Sequence, residues 1–144
     1  MTMQLQPSAC EVAKMFAKEC SVLLVEDDPL VAGYMRRILS RFDVCVEHAQ
    51  DRATLEVALD SRYDLVILDL VVPDISRMDL LRMVADRTSC PVMVMSGNID
   101  TQIQQAAISI LDRPIWFVDK PASFGPESFD RVFRMFNLSV GAHR

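Results

Sequence analysis

The chain is poor in glycine, with four in 144 residues: Gly33, Gly97, Gly125 and Gly141. No two stand close enough to build the loop on which nucleotide phosphates rest, which argues against a nucleotide-binding enzyme. Histidine is scarcer still, at His48 and His143, and the four cysteines, Cys10, Cys20, Cys45 and Cys90, form no C-x-x-C pair. A structural zinc site needs four nitrogen or sulfur ligands at suitable spacing, and this set does not supply them. The plain expectation is reduced thiols, buried or half-buried, in a cytoplasmic protein. His48 reads as a half-exposed strand-end residue and not as a phosphate carrier. No apolar run approaches the ~20 residues of a membrane span, and no charged start followed by an apolar run marks a secretory leader. Positive charge is in deficit, with 15 Lys and Arg against 20 Asp and Glu, a net charge of −5. Such a chain lacks the basic surface that nucleic-acid phosphates demand and shows no recognition helix, so no nucleic acid is an expected partner.

What is present is apolar sequence in short, regular pieces. Apolar residues make up 51% of the chain, too many for disorder. The length suits one domain, which hides roughly 70% of its unfolded surface. The stretch Asp64 to Asp74, DLVILDLVVPD, sets the pattern. Leu65 to Leu68 is a branched apolar run of the kind covered on both faces of a sheet. It stops at Asp69, and Pro73 closes the segment. Ser21 to Val25 is a similar run, ending in Glu26, Asp27 and Asp28 before Pro29. Asp28 and Pro29 together start a helix to about Arg41, as cap and first helical residue, with Val31, Met35, Ile38 and Leu39 inward. Val44 to Glu47 predicts a shorter, more mixed strand, and Asp51 caps a second helix. Ser76-x-x-Asp79 opens a third in the manner of a capping box. A fourth strand, VMVM, runs to Ser96, followed by a helix over Asp100 to Leu111 with Ile103, Ala106, Ala107 and Ile110 inside. Ile115 to Val118 is a fifth strand before Asp119, Lys120 and Pro121, and a last helix spans about Glu127 to Phe136. Residues 20–138 form the domain. Residues 1–19 are a partly helical extension, Ser8 to Glu19, packed on its own domain or serving as a dimer contact or docking arm. Residues 139–144 are a tail.

Strand and helix alternate five times, which gives a parallel sheet with helices on both faces. All strand ends then lie along one edge, where open sheets bind ligands. That edge collects Glu26 and Asp27 from the first strand, Asp69 from the third, Ser96 from the fourth and Lys120 after the fifth. Three carboxylates held together repel unless a cation joins them. Oxygen-only ligands favour a hard ion, Mg²⁺ before others. With the ammonium of Lys120, such a site would stabilise a phosphoryl group, and a carboxylate can be the nucleophile that accepts it.

VLLVEDDP, DLVILDLVVPD, PVMVMSGN and WFVDKP stand in this order over about Ser21 to Asn137. Together they resemble the receiver domain of two-component response regulators. The resemblance implies a flavodoxin-like, doubly wound sheet of order 2-1-3-4-5 with five helices. It implies that Asp69 is the phosphoacceptor, with Asp27 a direct ligand of Mg²⁺, Glu26 its acidic neighbour and the Val71 backbone carbonyl a third protein ligand. Ser96 and Lys120 match the phosphoryl-binding residues, and Ser96 and Phe117 the switch pair. Asp28 is set aside as a cap. The implied partner is a sensor histidine kinase or phosphotransfer protein. The helix Asp100–Leu111 and strand Ile115–Val118 form the face for a homodimer or a downstream output domain. The function expected is signalling rather than enzymatic turnover of a substrate.

The chain departs from the family at Arg77, where glycine is usual. Arginine tolerates positive φ poorly, so the loop beside the acceptor is expected to follow another path or to be mobile. Arg113-Pro114 replaces a small pair before the fifth strand, and Trp116 is bulky for its position. Both changes bear on the usual output face. The alternative function is a pseudo-receiver, an interaction module without phosphorylation. An aspartyl phosphohydrolase would need a second acid where Val71 stands. No output domain is visible, which fits a stand-alone receiver or the N-terminal part of a larger regulator.

Overall fold

Burial on both faces makes three segments strands before any other force acts. β1 (Cys20–Val25), β3 (Leu65–Asp69) and β4 (Val92–Ser96) are buried at every position. The structure is a computed structural model and describes residues 20–97, 100–119, 125–138 and 140. The expected extension over residues 1–19, Lys120 with Pro121, and the end of the tail lie outside the described residues. Two further strands, β2 (Val44–Ala49) and β5 (Ile115–Asp119), close the sheet edges and are mostly half-buried. The sheet is parallel with order β2-β1-β3-β4-β5. This is the doubly wound, flavodoxin-like arrangement expected from the sequence.

Among the described residues, five helices cover it: α1 (Pro29–Leu39), α2 (Arg52–Ala58), α3 (Arg77–Arg87), α4 (Thr101–Leu111) and α5 (Pro126–Met135). Four begin on a side-chain cap. Asp28, Asp51, Ser76 and Asp100 each accept from a backbone N–H of the first turn, so donors that the helix cannot satisfy itself are paired. The core has two halves. Met35, Leu39, Phe129 and Phe133 of α1 and α5 pack with Val22, Leu24 and Ile67 on one face. Leu55, Leu80, Leu81, Val84 and Ala107 of α2, α3 and α4 pack with Leu23, Val66, Leu68 and Val94 on the other. Neighbouring residues of one strand thus serve opposite cores.

Several boundaries differ from expectation for tertiary reasons. α1 stops at Leu39 because Phe42 turns into the core and meets Phe133 edge-on at 5.1 Å. Its buried stripe is Ala32, Met35, Ile38 and Leu39, leaving Val31 at the margin. β2 continues through His48 and Ala49 because both pair with β1. In α4, Ala107 and Leu111 are fully covered, with Ile103 and Ile110 at the rim. Cys45 corrects the reading of the cysteines: it is disulfide-bonded, whereas Cys20 and Cys90 are thiols.

Arg77 is not strained. Ser76 caps α3 with extended backbone (φ −67, ψ 153), so Arg77 is the first helical residue. Among the described residues, the non-glycine positions with positive φ are Asp112 and Asn137. The loop therefore takes a path in which glycine is not required. Arg113 also has a structural role. Its half-buried guanidinium donates to Leu111 O at 2.9 Å, Ala85 O at 3.0 Å and Thr88 Oγ1 at 2.6 Å. It thus ties the carboxyl end of α3 to that of α4, where a cation suits the helix dipoles.

Candidate functional site

The site stands where β1 and β3 run out. β1 is continuous with Glu26, whose N–H donates to Ala49 O at 3.0 Å, one step past the last pair of the β1–β2 ladder. Glu26 is fully buried, and Asp27 turns toward solvent and is half-buried. Asp69 closes β3 with 3% exposure. β1 and β3 are neighbours in register, Val25 opposite Leu68, so the residues after them meet. One carboxylate oxygen from each of Glu26, Asp27 and Asp69 lies within 4.8 Å of the others.

The loop after Asp69 is folded on itself. The N–H of Val71 donates to Asp69 Oδ1 at 3.1 Å, an Asx-type turn that orients the carboxylate. Leu70 and Val72 are buried on either side, and Val71 between them is 50% exposed. Val72 and Ile75 then close a turn around Pro73 and Asp74, with Ile75 N–H donating to Val72 O at 3.2 Å.

Ser96 and Phe117, also singled out from sequence, lie on the neighbouring strands β4 and β5. Asp69 is opposite Met95 on β4, so Ser96 is the next residue along the neighbouring strand, and it is buried. Phe117 is opposite Val94 on β5 and packs, half-buried, against the core under α2, α3 and α4. Lys120 lies outside the described residues. Asp28 is a cap, accepting from Leu30 N–H at 2.9 Å.

Sequence reasoning missed two contributors. His48 Nε2 lies 2.7 Å from Glu26 O, so this strand-end residue holds the backbone of the acid loop. Asp74 accepts from the N–H of Arg52 at 3.1 and 3.3 Å, joining the loop after β3 to the start of α2. The first could have been sought from its place at a strand end. The second has no local signal, since the partners are far apart in sequence.

Chemically, the cluster is an oxygen-only donor set of high negative charge. Oxygens around an octahedral Mg²⁺ at about 2.0–2.1 Å would be some 3–4 Å apart. The carboxylates are thus already close to a chelating spacing, and their hard donors fit that ion better than a soft metal.

Fold and site together define a doubly wound α/β domain with an acidic cluster that could hold a metal ion at the carboxyl edge of its sheet. Residues 22–123 match the family described as the response regulator receiver domain, and the chain belongs to that family. It is 32% identical over 83 residues to the response regulator ArlR of Staphylococcus haemolyticus (strain JCSC1435), covering 56% of this chain and 37% of that protein. The chain therefore spans well under half the length of that relative. Among solved structures it is similar to the signal receiver domain of an HD domain-containing protein from Pseudomonas fluorescens Pf-5, with a TM-score of 0.71, 20% identity and coverage of 83% and 94%. It is also similar to a response regulator protein from Burkholderia pseudomallei, with a TM-score of 0.67, 21% identity and coverage of 77% and 64%. That protein was crystallised with a phosphorylated aspartic acid, a calcium ion and citrate. These structural likenesses concern the fold.

Proposed function

We propose that this receiver domain accepts a phosphoryl group on Asp69 from a phosphohistidine of a sensor kinase or phosphotransfer protein. The observation that carries the reading is the convergence of the Glu26, Asp27 and Asp69 carboxylates within 4.8 Å at the carboxyl edge of the sheet. Glu26, Asp27, Asp69 and the Val71 carbonyl would hold Mg²⁺. Bound there, the ion would neutralise the acid cluster and the oxygens of the incoming phosphoryl group.

Asp69 is the nucleophile. Its carboxylate is oriented by the Val71 N–H, so less freedom is lost when the phosphorus atom is approached in line. The P–O bond to Asp69 forms as the P–N bond to the donor imidazole breaks, and the imidazole keeps the electron pair. Ser96, next along the adjacent strand, donates its hydroxyl to a phosphoryl oxygen, and Lys120 supplies a second cation. Phe117 follows inward on the core face, a two-state switch biased by these new contacts. Water attack on the acyl phosphate returns Asp69 and releases inorganic phosphate.

The domain works as a cytoplasmic signalling module, with an output domain or a second copy meeting the α4–β5 face. Ile108 on α4 is exposed there. Among the described residues, no helix is long and apolar enough to cross a membrane.

Intact-mass analysis after incubation with acetyl phosphate, with and without Mg²⁺, tests this beside an Asp69→Asn variant. The expected result is one phosphoryl group, added with Mg²⁺ and to the parent only. A folded, Mg²⁺-binding protein that stays unlabelled by acetyl phosphate and by a cognate kinase would instead be a pseudo-receiver read by its surface.

A further inference from the structure

The metal ligands of the proposed site come from the end of β1 with the loop after it, and from Asp69 at the end of β3 with Val71 in the loop after it. Their spacing therefore depends on what holds those loops relative to each other. The β2–α2 corner touches both. On one side Ala49 O accepts from Glu26 N–H at 3.0 Å, and His48 reaches Glu26 O at 2.7 Å. On the other, the Asp74 carboxylate accepts from Arg52 N–H, the first amide of α2, at 3.1 and 3.3 Å. The corner itself is stiff. Asp51 and Thr54 cap each other reciprocally, and Thr54 Oγ1 also accepts from Gln50 N–H at 2.9 Å.

We infer that Asp74 is a positioning residue, mounting the loop that follows Asp69 and bears Val71 on the same corner that holds Glu26, and so setting the Mg²⁺ affinity of the site. The inference rests on the phosphoryl-acceptor reading above. The apolar anchors Leu70, Val72 and Ile75 fix how deeply this loop sits in the core. They do little to fix its sideways position, because apolar contact is not directional. A hydrogen bond at the tip of the Val72–Ile75 turn supplies that direction. Asp74 touches no reacting atom and acts through the loop alone.

The test is a calorimetric Mg²⁺ titration of parent, Asp74→Ala and Asp74→Asn, with acetyl-phosphate labelling rates measured across the same Mg²⁺ range. Removing partners one shell out from a metal site costs roughly 10–100-fold in affinity. For a tether one step further away, Asp74→Ala is expected to weaken Mg²⁺ binding about fivefold. The Mg²⁺ concentration for half-maximal labelling should rise in parallel, with the rate at saturating Mg²⁺ changing less than the affinity does. Asp74→Asn keeps an acceptor oxygen but no charge, and should lie close to the parent. Faster hydrogen exchange at the Arg52 amide in Asp74→Ala alone would report the lost tether.

Unchanged Mg²⁺ affinity in Asp74→Ala, with the parent binding and labelling normally, overturns the inference and leaves the receiver reading intact. Equal weakening in Asp74→Ala and Asp74→Asn also overturns it, since remote charge and not the bond would then be responsible. A folded parent that neither binds Mg²⁺ nor labels overturns the receiver reading, and this inference with it.

Discussion

Replacing Asp69 by asparagine is expected to make the protein more stable in metal-free buffer, although it removes the proposed nucleophile. The two side chains are nearly isosteric, and asparagine Oδ1 can still accept from the Val71 N–H as Asp69 does at 3.1 Å. What changes is charge. Oxygens of three carboxylates stand within 4.8 Å of one another. At an effective dielectric constant of about 20, two unit charges at that distance repel by about 3 kcal/mol. Asp69 faces two such neighbours, but Asp27 is half-exposed and water screens it. A net gain of about 1–3 kcal/mol is therefore expected. For a domain of this size that raises Tm by about 4–10 °C. Mg²⁺ should narrow the gap between the two proteins. The parent is stabilised by about 1.4 kcal/mol at ten times its Kd, while the variant, short of one charged ligand, gains less. Thermal melts followed by circular dichroism, in EDTA and in a Mg²⁺ series, provide the assay. Asp79→Asn is the control: this exposed acid in the first turn of α3 lies outside the cluster and favours the helix dipole, so its loss should not stabilise. If Asp69→Asn were no more stable than the parent in EDTA, or if both gained equally from Mg²⁺, the claim of a strained, cation-seeking cluster would fail.

Arg113→Ala should destabilise the fold by about 2–3 kcal/mol, since three well-formed bonds to Leu111, Ala85 and Thr88 are lost from a half-buried site. Arg113→Lys should recover little of this, because one ammonium cannot span the three acceptors; urea midpoints at unchanged m-value would show both effects. Phe129→Ala, at a fully buried position on α5, should cost about 3–5 kcal/mol by the same measurement. The carboxyl of Asp51 is held below its ordinary 3.8 by bonds from the Thr54 N–H and then the Thr54 hydroxyl. A group whose folded value is depressed stabilises above its unfolded value and loses that stabilisation as pH falls through the folded value. The Tm difference between the parent and Asp51→Ala should therefore be full near pH 5, narrow from 3.8 downward and be smallest below the lowered value, as scanning calorimetry across that range would show.

The sheet was legible because each of its three inner strands is built on a run of four apolar residues, Val22 to Val25, Leu65 to Leu68 and Val92 to Met95, as burial on both faces requires. Asp69 and the Glu26–Asp27 pair could be read for the same reason: they are the first charges after such runs, so a parallel sheet must bring them to one edge. Edge elements were less legible. Glu47 and His48 make β2 look as if it ends early, yet their pairing with Leu23 and Leu24 is set by a neighbour distant in sequence. Arg77 was read against a loop that needs positive φ, but Ser76 begins the helix early enough to remove the need. Arg113 looked like a bulky replacement for a small residue. Its three acceptors come from two helix ends and the segment between them, and no local pattern connects those. Cys45 carried no spacing signal for a disulfide.

These misses share a physical cause that also bears on the site. Apolar burial is a property of a segment and is written in consecutive residues. A hydrogen bond between loops is a property of a pair, and its partners can stand anywhere in the chain. The core under β1, β3 and β4 brings the carboxylates to one edge but does not set the ångström-scale spacing between their loops. That spacing depends on pairs such as His48 with Glu26, Val71 with Asp69 and Asp74 with Arg52. Three acids that repel by several kcal/mol will spread unless such pairs oppose them. Near its ligand spacing, the cluster keeps a repulsion that a divalent cation relieves on binding. A repulsion that lowers stability in metal-free buffer would thus strengthen the hold on a bound ion, and Mg²⁺ affinity and metal-free stability are expected to move in opposite directions across variants of the cluster.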